Sequence, residues 1–122
     1  MALLYEELTG SIRGAAIEVL NTLGPGLSEK CYENGLVIEL IERGHIVEQQ
    51  REFPVSYKGR FVGKRIPDLI VDRKVVVDTK VVDSFCNEHV AQMLTYLSVT
   101  GLRLALLVNF KRCELATKRV IS

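Results

Sequence analysis

Two carboxylates and a lysine interrupt apolar, β-branched runs. Asp68 follows Pro67 in Arg65-Ile66-Pro67-Asp68-Leu69-Ile70-Val71, and Asp78 and Lys80 sit in Val75-Val76-Val77-Asp78-Thr79-Lys80-Val81-Val82. Charge inside a core strand is costly unless it is paired or bound to a metal. Hard carboxylate oxygens suit Mg²⁺ or Mn²⁺. Such a cation lowers the pKa of a water and polarises a phosphate, which is what phosphodiester hydrolysis requires. On this reading Asp68 and Asp78 are ligands, and the Thr79 carbonyl or a neighbouring one is a further donor. Lys80 orients the attacking water or neutralises charge on the phosphorane. The competing reading is a surface hairpin with ordinary exposed charges.

Strand geometry makes a sharp demand on that site. Asp78 and Lys80 are two apart, so they share a face and Thr79 points away. Asp68 belongs to the preceding strand. A two-residue loop at Asp72-Arg73 aims Asp68 away from Asp78; a three-residue loop through Lys74, or a bulge, sets them opposite. A working site therefore predicts an odd-length loop or a bulge.

The elements that must position these residues follow from periodicity. Leu4, Leu8, Ile12, Ala15, Ala16, Val19, Leu20 and Leu23 recur at helical spacing, predicting a helix over about 3–21 that stops before Gly24-Pro25-Gly26. A second helix runs from its cap Ser28 to Arg43, with Gly44 as its stop and Tyr32, Leu36, Val37, Leu40 and Ile41 as its buried stripe. Short strand signals cover 45–50, and Phe53–Tyr57 and Phe61–Ile66 form a hairpin. Strands follow over 67–71 and 74–82; the unbroken Val75-Val76-Val77 run implies burial on both faces. Ser84 or Asn87 caps a third helix that ends at Gly101, followed by a central strand over 102–109 and an edge strand over 114–121. The strand-helix-strand order implies a right-handed parallel crossover. The expected fold is α/β, a mixed sheet covered by helices.

Composition narrows the function classes. The chain has 122 residues, 48% of them hydrophobic and 25% charged, the ordinary balance of one globular domain spanning 1–122. A net charge of +1 is not that of a constitutive DNA coater. Nucleic-acid contact must come from local patches, such as Lys58, Arg60, Lys64 and Arg65, or Lys111, Arg112, Lys118 and Arg119. Cys31, Cys86 and Cys113 are odd in number and lack CxxC spacing, which fits a reducing compartment better than a disulfide or zinc scaffold. No positioned base accompanies them, and His45 and His89 lack metal-ligand spacing. No leader-like or membrane-spanning pattern is visible, so the expected location is cytoplasmic, with no membrane partner.

Pro67-Asp68 followed by Asp78-Thr79-Lys80 resembles the PD-(D/E)xK nuclease superfamily. Gly26-Leu27-Ser28-Glu29-Lys30-Cys31-Tyr32 reads GxxExxY, the mark of a small family of that name within it. The Gly-Pro-Gly breaker, Glu42-Arg43-Gly44, Tyr57-Lys58-Gly59, Thr100-Gly101-Leu102-Arg103 and Leu107-Val108-Asn109-Phe110 follow in matching order, so the likeness covers nearly the whole chain. It implies a restriction-endonuclease-like fold and Mg²⁺- or Mn²⁺-dependent hydrolysis of DNA. It adds Glu29 to Asp68 and Asp78 as the metal-binding set, keeps Lys80 as the catalytic lysine, and makes Gln92 and Tyr96 substrate contacts of the Gln-x-x-x-Tyr kind. Many members carry glutamate where this chain has Asp78, so metal affinity or preference is expected to shift. Lys64 and Arg65 are the candidate backbone-binding cations beside this set.

Two functions from different classes compete. A DNA nuclease predicts that Glu29, Asp68, Asp78 and Lys80 converge in a cleft and that Lys80→Ala leaves folding nearly unchanged. A non-catalytic nucleic-acid- or protein-binding module on the same fold predicts a weak metal site and binding indifferent to Lys80. The domain leaves little room for its own targeting module, so a homodimer through the first helix or the last strand, or a protein targeting partner, completes the nuclease reading.

Overall fold

The computed structural model describes residues 3–122. The elements are α1 (Glu6–Leu23), α2 (Glu29–Glu42), β1 (Val47–Gln49), β2 (Phe53–Tyr57), β3 (Arg60–Arg65), β4 (Leu69–Val71), β5 (Val75–Lys80), α3 (Asn87–Thr100), β6 (Leu104–Asn109) and β7 (Ala116–Ile121). Five strands form one sheet in the order β1-β4-β5-β6-β7, while β2 and β3 pair separately as a hairpin. Within the sheet β5 and β6 are parallel, joined through α3. The other pairs are antiparallel.

Helices cover both faces, which explains the apolar runs. Val71, Val75, Val77, Leu104 and Leu106 join Ile12, Ala16, Tyr32, Leu36 and Leu40 in one core. Ile70, Val76, Ala105 and Leu107 join Met93, Tyr96 and Leu97 of α3 in the other. Successive residues of a strand face opposite sides. With a helix layer on each side there is no solvent face to fill with polar residues.

The odd-length loop is present. Leu69 pairs with Val77 and Val71 with Val75, so Asp72-Arg73-Lys74 is a three-residue connection and the register sets Asp68 opposite Asp78. Asp72 and Arg73 both take positive φ, 53° and 57°, and the Lys74 amide donates to the Val71 carbonyl at 3.0 Å. Aspartate tolerates that backbone better than most residues. Its side chain also closes the corner: Oδ1 accepts from the Ile46 amide at 2.8 Å, and Oδ2 lies 2.7 Å from His45 Nδ1. On its other side, His45 Nε2 lies 2.7 Å from the Ser11 hydroxyl.

Several boundaries depart from expectation. Leu3 lies outside α1, which follows Tyr5 in a left-handed conformation, and Leu23 is exposed in the last turn. Ile41 is exposed, whereas Glu33 on the same helix is buried. The third helix is capped by Cys86, whose amide donates to His89 Nδ1 at 3.2 Å. Gly24-Pro25-Gly26 does end α1, and β7 is the sheet's edge. Among the described residues, no helix is long and apolar enough to cross a membrane.

Candidate active site

The C-terminal half of β5 brings the charged residues together. Asp68, just before β4, accepts through Oδ2 from the Thr79 amide at 3.0 Å and the Thr79 hydroxyl at 2.9 Å. Thr79 is thus an anchor for Asp68, a part its outward strand parity did not suggest. Asp78 Oδ2 is 2.8 Å from Lys80 Nζ, and that ammonium also donates to Gln92 Oε1 at 2.9 Å. Gln92 Nε2 then donates to the Tyr96 hydroxyl at 3.0 Å. Gln92 and Tyr96 are one turn apart on α3, so one helix face meets the end of β5.

The opposite helix layer supplies Glu29. It opens α2, after a loop held by Tyr32: the Tyr32 hydroxyl donates to the Gly24 carbonyl at 2.6 Å and accepts from the Leu27 amide at 3.1 Å. The Tyr32 ring is fully buried and stacks on Phe110, with centroids 4.7 Å apart. The last residue of the GxxExxY pattern is therefore core and loop staple, and it fixes the backbone that carries Glu29.

Three residues at this site have no sequence signal of their own. Glu33 is 3% exposed. Its Oε2 accepts from Gln49 at 2.8 Å, Gln50 at 3.0 Å and Lys30 at 3.0 Å. Gln50 also donates to Asp68 Oδ1 at 3.3 Å, and its amide donates to the Asp68 carbonyl at 2.9 Å. It does so at φ 56°, a backbone strain met at functional sites. Polar side chains at a helix face and a strand end usually read as solvated, so only their convergence distinguishes them.

The electrostatics are those of crowded acids. Burial, then the charge of Asp78, lifts the Asp68 pKa to about 6, although the Thr79 bonds pull it down. Asp78 is 2% exposed; burial raises its pKa too, against the hydrogen bond and charge of Lys80. Burial also raises Glu29; Lys80 counters, while Asp68 and Glu33 add to the rise. Burial would lower Lys80, but its bond to Asp78 and the surrounding acids raise it, so it stays an ammonium. Burial pushes Glu33 up, but the bonds from Gln49, Gln50 and Lys30 outweigh this and lower it. Burial, then the charges of Asp78 and Asp68, pushes Tyr96 up to about 12.

This donor set fits a hard divalent cation. Glu29, Asp68 and Asp78 offer carboxylate oxygens that repel one another, with the Lys80 ammonium as counter-charge and the Thr79 bonds easing Asp68. Among the described residues, no cluster of three or more histidine, cysteine, aspartate or glutamate side chains stands ready to hold a metal ion. Mg²⁺ does not need one, since it keeps several waters and takes one or two carboxylates plus substrate oxygens.

The basic residues divide. Arg65 lines a groove of about 470 Å³ with Glu88, His89, Ala91, Gln92 and Thr95, adjoining the Lys80–Gln92 contact. Lys64 does not join it: neighbouring strand residues face opposite ways, and its Nζ pairs with Glu52 at 2.6 Å. In the second patch Arg119 is held by Thr9 and the Leu4 carbonyl, and Arg112 by the Asp83 carbonyl.

A mixed sheet between helices, with acids and a lysine gathered at the end of its central strand, defines a nuclease-like α/β protein. The model of the PD-(D/E)XK nuclease superfamily matches residues 6–120, and the chain belongs to that superfamily. The fold is restriction-endonuclease-like. It is similar to the crystal structure of SSO0001, with a TM-score of 0.60 and 20% identity over 97% of this chain; it spans 57% of the length of that chain. It is also similar to LHK-Exo, an alkaline exonuclease from Laribacter hongkongensis, with a TM-score of 0.51 and 14% identity over 93% of this chain and 81% of that one. The same exonuclease in complex with dAMP matches with a TM-score of 0.52 and 15% identity, over 87% of this chain and 75% of that one. No curated protein matches the sequence.

Proposed function

We propose that this protein is a Mg²⁺- or Mn²⁺-dependent nuclease of the GxxExxY kind that hydrolyses DNA phosphodiester bonds. One observation carries the reading: the β4–β5 register sets Asp68 opposite Asp78 at the end of β5, where Lys80 Nζ lies 2.8 Å from Asp78 Oδ2. Glu29, Asp68 and Asp78 would hold the divalent cation, which would supply an acidified water and polarise the scissile phosphate. The chain's own groups do the rest. Thr79 and Gln50 hold Asp68 in one orientation. Asp78 and Gln92 hold the Lys80 ammonium, which orients the attacking water and offsets charge developing on the phosphate. Tyr96 stays neutral and already accepts from Gln92, so its own proton is free for a phosphate oxygen. Arg65, in the adjoining groove, takes the backbone next to the cut.

One domain over 1–122, working in the cytoplasm, is the form proposed. A second copy docking on the exposed Ile17 and Leu23 of α1 or Ile121 of β7, or a protein targeting partner, would supply targeting. The test is cleavage of labelled single-stranded, duplex, flap and four-way-junction DNA with Mg²⁺, Mn²⁺ or EDTA. Metal-dependent cutting supports the reading and reveals the preferred substrate. No cutting of any substrate by folded protein returns the weight to a non-catalytic binding module.

A further inference from the structure

The β2–β3 hairpin is a separate two-stranded sheet whose base packs on the α3 core through Phe53. Beyond that base its side chains are open. Tyr57 is 64%, Phe61 69% and Val62 61% exposed, on either side of a tight Lys58-Gly59 turn. The segment 53–65 carries Lys58, Arg60, Lys64 and Arg65 and no acid, in a chain whose net charge is only +1. Lys64 is neutralised by Glu52, and Lys58 lies 5.4 Å from the Tyr57 ring centroid. At the other end of β3, Arg65 opens onto the groove beside Gln92. A fold does not need two large rings in water. Tyr57 pairs with Arg60 and Phe53 with Arg65, so Tyr57, Arg60 and Arg65 share the face that leads to the groove, while Phe61, paired with Ser56, lies on the other. An exposed ring flanked by cations matches a strand that offers both bases and phosphates.

We propose that the β2–β3 hairpin is a docking arm for DNA with unpaired bases, with Tyr57 stacking on a base and Lys58 and Arg60 taking the flanking phosphates. This rests on the nuclease reading for its biological use, but binding alone tests it. A duplex hides the faces of its bases, so the arm selects single-stranded or forked DNA over fully paired DNA.

The experiment is fluorescence anisotropy in EDTA with a labelled single-stranded oligonucleotide, the same strand without bases, and the matching duplex. Wild type is compared with Tyr57→Ala and Lys58→Ala/Arg60→Ala, each shown folded by circular dichroism. The aromatic variant should lose about tenfold or more in affinity for the based single strand and change little on the abasic strand or duplex. Removing the two cations should flatten the plot of log affinity against log salt by about 0.7 per lost phosphate contact. Unchanged affinity in the aromatic variant, or equal loss on the abasic strand, overturns the proposal. So does a wild-type dimer that the aromatic variant converts to monomer with DNA binding intact, which would make the hairpin a protein interface. Failure of the nuclease reading looks different: no cleavage with metal, while ring-dependent binding persists.

Discussion

Asp68 ionises against burial and against Asp78, so its folded-state pKa of about 6 lies above the ordinary 3.8. A raised acid destabilises the fold when charged. The penalty is full above pH 6 and fades as the pH falls towards the ordinary value. Asp68→Asn keeps an oxygen to accept from Thr79 and removes the charge. Without divalent metal it should stabilise the protein by about 1–2 kcal/mol at pH 8, and the gain should vanish near pH 4 in urea denaturation. Lys80 behaves oppositely. Its ammonium is the direct counter-charge of the buried Asp78, so the structure replaces the expectation that Lys80→Ala is neutral. That substitution should cost about 2–3 kcal/mol at pH 8, since an unpaired buried carboxylate remains, and Asp78→Asn in the same chain should restore most of it. Equal stability of the single and double variants would show that the pair contributes nothing.

At the scale of elements, the loop after β4 decides whether a site exists. Leu69, Ile70 and Val71 are all buried, so β4 is apolar on both faces and its hydrophobic pattern does not specify register. The three-residue loop does. Deleting Arg73 should leave a cooperatively folding protein, by thermal circular dichroism, that no longer binds Mn²⁺ in calorimetry; retained binding would show that register is set elsewhere. The loop before α2 is the second lever. Tyr32→Phe removes the hydroxyl that joins Gly24 and Leu27 and should cost about 1–2 kcal/mol by chemical denaturation. Cleavage should fall further than stability accounts for, because Glu29 then starts from a looser loop.

Across the whole molecule, legibility followed from how unusual each residue is in its setting. Asp68, Asp78 and Lys80 stood out because charge in a valine run has few explanations, and side-chain parity turned that into a loop length. Both helix layers and the sheet's two central strands followed from apolar period and from runs that never alternate. Glu33, Gln49 and Gln50 stayed hidden because a polar residue on a helix or at a strand end is ordinary until a partner far along the chain arrives. Closeness in sequence groups Lys64 with Arg65, although adjacent strand residues face apart. The separate hairpin sheet was legible as a hairpin but not as an arm, since its exposure depends on where the main sheet ends.

The most direct measurement is DNA cleavage at pH 8 with Mn²⁺, by wild type beside Asp68→Asn. The variant should be the more stable protein without metal, so misfolding cannot explain a loss. The account predicts cutting by wild type that EDTA abolishes, and none by Asp68→Asn. Equal cutting by both proteins, or cutting that survives EDTA, would contradict it.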